Sequence, residues 1–420
     1  MLTQNETGGQ YIDHLLEKNE AFAHFSKKDK SLLLEIVYGV LRNRTYLDLI
    51  LQHYIKKGYR SFPVVLKQIL RTAIYQLAFL QRVPAYAAVS EAVEIARSKL
   101  DSRRAAFVNA VLRNYERERW QPDPPDPHHL EQVADYYSHP LWLVKLFADQ
   151  FGQQELIPWL QANNRVPEIT VRLLAADASV PQTLAPLPGF SGYFRLQPGT
   201  DLEALELWKE GKLIVQDASA GLAVDLVRAE AGERIIDLCA APGGKTMILA
   251  RQVGPEGVVE AVERSPARCH KIRQNLRRLQ LTNVVVECAD ARQYGGQPAD
   301  AVLVDAPCSG LGVLARRADL RWKRKPEDIP ELVRLQLEIL EQAAALVRPG
   351  GRLVYSTCTI NREENEEILE RFLQRHQSFR VTPAETLGID AAFITPEGFV
   401  RTFPHRHHVD GTFAVRLEKK

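Results

Sequence analysis

RIIDLCAAPGGKT (Arg234–Thr246) opens as a short apolar run, breaks at two glycines, and continues into MILARQ, which carries apolar residues at helical spacing. That reads as strand, tight turn and helix. Further apolar runs follow downstream: GVVEAV (Gly257–Val262), NVVVE (Asn283–Glu287), DAVLVDAP (Asp300–Pro307) and GRLVYST (Gly351–Thr357). Helical stretches at Lys245–Gln252, Pro266–Leu279 and Glu331–Val347 separate them. Continuous apolar strands joined by helices signal a parallel sheet buried on both faces. Residues 213–420 are therefore expected to form a doubly wound α/β domain of Rossmann type, with ligands above the carboxyl ends of its strands.

Upstream the pattern changes. Residues 1–121 read as all helix, from LLLEIVYGVL (Leu32–Leu41) through VVLKQILRTAIYQLAFL (Val64–Leu80) and AAVSEAVEIAR (Ala87–Arg97) to AAFVNAVLRNYERER (Ala105–Arg119). QPDPPDPHH (Gln121–His129) carries four prolines in nine residues. Proline fixes φ and has no amide donor, so a linker is expected at 122–129. Residues 130–212 mix a helical stretch (Pro140–Phe151) with the strand-like EITVRLL (Glu168–Leu174), and read as a small α+β module.

At 420 residues, 45% hydrophobic and 25% charged, the chain has the composition of a globular protein too long for one core. It opens without a secretory signal and carries no run apolar enough to span a bilayer. Five dispersed cysteines with no CxxC pair argue against disulfides and structural zinc, and for a reducing cytoplasm. PHRHH (Pro404–His408) lacks ligand spacing, so no metal site is expected there, and VDGTFAVRL after it reads as a turn and closing strand. NREENEEILERFL reads as an amphipathic helix covering the sheet. The net charge of +2 hides clusters: Arg264–Arg278 holds six Lys/Arg and no acid, and Arg316–Lys325 is similarly basic. Clusters of this kind suit RNA, although solvated helix faces look the same.

Three cofactors compete for the turn at Asp237–Thr246. GxGxxG is missing, which removes the dinucleotide reading. A P-loop would use Gly244-Lys245-Thr246, but Cys239 stands where its first glycine belongs. S-adenosylmethionine has no phosphate, but its ribose diol favours an acid after the second strand, and Glu263 follows Gly244 by nineteen residues. Asp290 and Asp305 end the next two strands. The expected cofactor is therefore S-adenosyl-L-methionine, cradled by Cys239, Ala240, Ala241, Pro242, Gly243, Gly244 and Lys245, with Glu263, Asp290 and Asp305 around it.

Cys308 in DAPCSG and Cys358 in YSTCT each follow a predicted inner strand, so both open onto the same edge. A lone cysteine is most often a small buried hydrophobe, and Cys239, Cys269 and Cys288 are read so. Carbon 5 of cytosine, however, is a poor nucleophile until a thiolate adds to carbon 6, and that chemistry needs an activated cysteine with an acid near the base. Asp305 stands three residues before Cys308.

Together DLCAAPGGKT, DAPCSG, YSTCT and NREENE (Asn361–Glu366) resemble the RNA cytosine-C5 methyltransferases. The resemblance implies that Cys358 is the nucleophile, that Cys308 assists product release and that Asp305 serves base and cofactor. VPAYAAVSEAVEIAR (Val83–Arg97) and FVNAVLRN (Phe107–Asn114) resemble a NusB-type RNA-binding domain. That combination implies 16S rRNA or an early small-subunit particle as substrate; a monomer is expected, without support from the motifs. Against the family pattern, Thr359 replaces a common serine, Glu263 a common aspartate, and QDASA (Gln216–Ala220) departs from QDxxS.

Overall fold

The computed structural model describes residues 1–175 and 178–420. The chain divides into two compact units, Met1–Val166 with Leu314–Arg324, and Pro167–Val313 with Lys325–Lys420. The expected limits at 122–129 and 130–212 do not coincide with this division. The proline-rich stretch stays inside the first unit, and the module is shared between the two.

The first unit is helical. Its long helices run over Lys27–Arg42, Arg44–Tyr54, Val64–Phe79, Ala85–Lys99 and Ser102–Glu118. Apolar residues three and four apart put Leu47, Ile50, Leu51, Leu70, Ile74, Val108 and Leu112 into one core. Ser26 and Asp101 cap two of these helices by accepting from the amides of Asp29 and Arg104 at 3.2 and 2.7 Å. Arg71 lies buried in this unit, where its guanidinium meets Asp48 at 2.7 Å and Glu6 at 2.8 Å. The helices Leu130–Tyr136, Leu141–Phe151 and Gln153–Asn164 join the same unit through side-chain bonds that proline-rich sequence does not announce. Thr45 Oγ1 donates to Asp135 O at 2.7 Å, and Tyr46 N to Ser138 Oγ at 3.0 Å.

The segment Leu314–Arg324 also belongs here. Arg321 is fully buried and donates to Ser138 O, Asn163 O and Asn164 Oδ1 at 3.1, 2.8 and 2.6 Å. Asp319 accepts from Ile12 N at 2.7 Å, and Trp322 Nε1 donates to Leu41 O at 2.8 Å. The basic cluster Arg316–Lys325 is thus partly structural, and RNA contact is not available to Arg321.

The second unit contains two sheets. The smaller is antiparallel, in the order β2-β3-β1-β4, from β1 (Thr170–Leu173), β2 (Leu184–Pro186), β3 (Tyr193–Leu196) and β4 (Leu213–Val215). The larger uses β5 (Arg234–Leu238), β6 (Val258–Val262), β7 (Val284–Glu287), β8 (Ala299–Asp305), β9 (Val347–Thr357), β10 (Phe379–Thr382), β11 (Val400–Thr402) and β12 (Thr412–Lys419). Its order is β10-β12-β9-β8-β5-β6-β7, with β11 paired to β12. Strands β5 to β9 pair in parallel, as the apolar runs predict. The two-residue side-chain period sends Ile235 into the core under the helices Ala218–Val227, Gly244–Val253 and Pro266–Arg278. Ile236 and Leu238 enter the opposite core, beneath Asp328–Leu346 and Glu366–Arg375.

At the C-terminus β11 and β12 are antiparallel, with the short helix Pro404–His407 between them. β12 does not close an edge, because it lies between β9 and β10 and pairs antiparallel with both. The turn before β12 packs tightly on the loops that follow β8 and β9: Gly411 N donates to Gly312 O at 2.8 Å, and Gly312 N to Cys358 O at 3.1 Å. A Cβ on Gly312 would lie 1.9 Å from Gly411 O, which is backbone and has little room to yield. Gly312→Ala is expected to destabilise the protein by about 1–3 kcal/mol, read as a lower urea midpoint at an unchanged slope.

Candidate active site

Strand β5 ends at Leu238, and the chain turns through Cys239–Gly243 into the helix Gly244–Val253. Cys239 and Gly243 take φ of 65° and 99°. For glycine this conformation is free, whereas for cysteine it costs about 1–2 kcal/mol. The methyl groups of Ala240 and Ala241 are buried in the core, so these residues offer a ligand their backbone alone. Pro242 is exposed. Burial pushes the Cys239 thiol up to about 12, as suits an unreactive packing residue.

Two residues of the Gly-Lys-Thr run are committed to carboxylates. Lys245 Nζ pairs with Asp305 Oδ2 at 2.6 Å, and Thr246 Oγ1 donates to Asp237 Oδ2 at 2.6 Å. Burial opposes the Lys245 charge, but Asp305 outweighs it and raises the ammonium above its ordinary range. A phosphate cradle would need both side chains free, so the P-loop reading loses its remaining support. Ser356 Oγ donates to the other oxygen of Asp305 at 3.1 Å.

Of the three strand-end acids, Glu263 and Asp290 share one cavity, whereas Asp305 is not among its lining residues. Cys239, Glu263, Asp290 and Pro307 line one cavity of ≈ 110 Å³. Glu263 is buried, accepts from Ser265 N at 2.8 Å and faces Arg268 at 3.2 Å. Asp290 is gripped by Arg292 at 3.0 and 2.7 Å, and chiefly that bond holds its carboxyl down at about 2.

The two cysteines meet across the ends of β8 and β9, Cys308 Sγ lying 3.2 Å from Cys358 Sγ. Cys358 is exposed and Cys308 half-buried. The bond to Cys358, with burial, pushes the Cys308 thiol well up. Either sulfur can donate in that contact, and the exposed one, Cys358, is the one open to a ligand.

A buried polar hub holds both cysteine loops. Glu364 is fully buried and accepts from Ser309 N at 2.7 Å, Gln336 Nε2 at 3.0 Å and Asn361 Nδ2 at 3.3 Å, as well as from Ser309 Oγ. Ser309 Oγ also meets Thr359 Oγ1 at 2.8 Å, and Thr357 Oγ1 donates to Asn365 Oδ1 at 2.6 Å. Sequence reasoning missed Glu364 and Gln336 as site residues. The acidic amphipathic run reads only as a helix covering the sheet, and the cue to Glu364 lay in the Asn361–Glu366 motif rather than in periodicity. Among the described residues no group of three or more His, Cys, Asp or Glu could hold a metal ion, and no helix is long and apolar enough to cross a membrane.

Fold and site together define a Rossmann-type methyltransferase carrying a NusB-type helical domain. Residues 224–418 match the family described as 16S rRNA methyltransferase RsmB/F, and residues 1–117 match the NusB family. Ribosomal RNA small subunit methyltransferase B of Vibrio cholerae is 37% identical over 413 residues, covering 94% of this chain and 90% of that protein. The protein of the same name from Photorhabdus laumondii is 33% identical, with 98% and 95% covered. Among solved structures, PH0851 superposes with a TM-score of 0.79 at 26% identity over 95% of this chain and 92% of its own. The chain belongs to the RsmB/F family of 16S rRNA methyltransferases.

Asp237 supplies a test of the geometry under the cofactor turn. It is fully buried, and burial raises its carboxyl from 3.8 to about 7. The native state therefore keeps a proton that the unfolded state releases, and this contribution to stability falls as pH rises from 4 towards 7. The unfolding free energy of wild type minus that of Asp237→Asn should decline across that window and flatten above it, measured by denaturant titration at each pH.

Proposed function

We propose that this protein methylates carbon 5 of a cytosine in 16S rRNA, free or in an early small-subunit particle, with Cys358 as nucleophile. The observation that carries the reading is the cysteine pair at 3.2 Å beside the Lys245–Asp305 ion pair. Cys358 adds to carbon 6 of the base, making carbon 5 nucleophilic. Asp305, oriented by its bonds to Lys245 and Ser356, is proposed to act near N3 and N4 of the base. When bound, S-adenosylmethionine supplies an electrophilic methyl group. Loss of the carbon-5 proton to a base then expels the Cys358 thiolate and restores the ring, and Cys308, adjacent to the leaving sulfur, assists that release.

The residues present fit the cofactor. The turn Cys239–Gly244 is built of small residues, the helix after it begins with unpaired amides, and Glu263 is a buried acid that suits a ribose diol. Asp290 lines the same cavity. A base inside a helix cannot present carbon 6 to a thiolate, so the target must be unstacked or single-stranded. The helical unit and the cluster Arg264–Arg278 are the elements proposed to hold the RNA, and the enzyme is proposed to act as a monomer in the cytoplasm.

Transfer of labelled methyl from adenosylmethionine to 16S rRNA, mapped by bisulfite sequencing, should protect a single cytosine. Cys358→Ala should reduce transfer to background, whereas Cys308→Ala should accumulate a protein–RNA adduct that survives denaturing gels. Full activity in Cys358→Ala would remove it as nucleophile.

A further inference from the structure

Gln216 follows β4, precedes the helix Ala218–Val227, and is 7% exposed. Its backbone is tied to Thr170 on β1: Gln216 N donates to Thr170 O at 3.2 Å, and Thr170 Oγ1 to Gln216 O at 2.9 Å. Tyr193 on β3 orients the side chain, its hydroxyl donating to Gln216 Oε1 at 2.6 Å. Arg172 holds Tyr193 in turn, with Nη1 3.1 Å from the hydroxyl and the guanidinium 5.1 Å from the ring centre.

With Oε1 engaged as acceptor, the carboxamide presents two N–H donors at Nε2. That nitrogen lies 3.2 Å from the position a Cβ would take on Gly244, at the first turn of the helix Gly244–Val253. No described residue accepts from it. First-turn amides and the helix dipole already favour an anion there, and a fixed amide donor adds to that preference. Position narrows the ligand further. Glu263 ends β6 on one side of β5, whereas the helix after Gln216 packs against β8, β9 and β12 on the other. A ligand with its ribose at Glu263 that crosses the glycine turn brings its far end to Gln216. In adenosylmethionine that end carries the methionyl carboxylate.

We infer that Gln216 donates a hydrogen bond to the methionyl carboxylate of the cofactor, with Tyr193 as the residue that positions it; this rests on the cofactor reading above. The small sheet β1–β4 thereby acquires a function, because Thr170, Arg172 and Tyr193 all act on Gln216 from it.

The test compares two probes by calorimetry. Adenosylhomocysteine carries the carboxylate, and methylthioadenosine shares the adenosyl thioether without it. Gln216→Ala should weaken adenosylhomocysteine by about tenfold or more and leave methylthioadenosine within about twofold. Gln216→Glu retains an acceptor for Tyr193 and sets a like charge against the ligand, so it should lose more adenosylhomocysteine affinity, again without touching methylthioadenosine; it also serves if the alanine variant fails to fold. Tyr193→Phe should give a smaller loss with the same selectivity. Equal losses for both probes would reduce Gln216 to packing and overturn the assignment. Unchanged adenosylhomocysteine affinity would overturn it too, including the case where only RNA affinity falls. If wild type binds neither probe, the cofactor reading itself fails, and the assignment falls with it.

Discussion

The geometry of the catalytic edge depends on one buried carboxylate. Glu364 draws the loop after β8 and the loop after β9 onto a common centre through Ser309, Asn361 and Gln336, while Ser309 reaches across to Thr359. Ser309 is the neighbour of Cys308, and Thr359 that of Cys358, so the separation of the two sulfurs follows from bonds made one residue away. Removing a partner from such a network leaves buried polar groups unsatisfied, at about 1–3 kcal/mol each. The proposed reaction, in which one thiol adds to a base and another helps expel it, would not tolerate drift between the two loops, and a fully buried hub is a direct way to prevent it.

The sheet supplies the rest. Parallel pairing aligns the carboxyl ends of β5, β6, β8 and β9, which sets the glycine turn, Glu263, Asp305 and the cysteines along one rim. Charge on that rim is arranged in pairs. Lys245 answers Asp305, Arg268 faces Glu263, and Arg292 grips Asp290. Each carboxylate is thereby oriented before any ligand arrives, which lowers the ordering cost of binding.

The large sheet was legible because its strands are short continuous apolar runs separated by helical ones, a pattern that few other folds generate. The positions of the cysteines and strand-end acids followed from that topology without further information. The unit boundaries were harder to see. QPDPPDPHH looks like a linker because proline breaks regular structure, but the helices after it return to the first unit through Thr45, Tyr46 and the buried Arg321. Those contacts lie up to 183 residues apart in sequence and leave no local trace. Arg321 was misleading for the same reason, since a basic run looks solvated until carbonyl oxygens are found around it. Glu364 and Gln336 were hidden within helical faces whose periodicity says that a residue is buried, but not that it is a hub. β12 was foreseen as a strand, whereas its insertion between β9 and β10 depends on long-range register.

The exposed sulfur of the pair, Cys358, is proposed to form the bond to carbon 6. Incubation of wild-type protein with adenosylmethionine and 16S rRNA in which cytidine is replaced by 5-fluorocytidine addresses it directly. Fluorine cannot leave as the carbon-5 proton does, so the covalent adduct persists and its peptide can be sequenced by mass spectrometry. Attachment at Cys358 is the predicted result. Attachment at Cys308, or methylation of RNA with no adduct at either cysteine, would contradict the account.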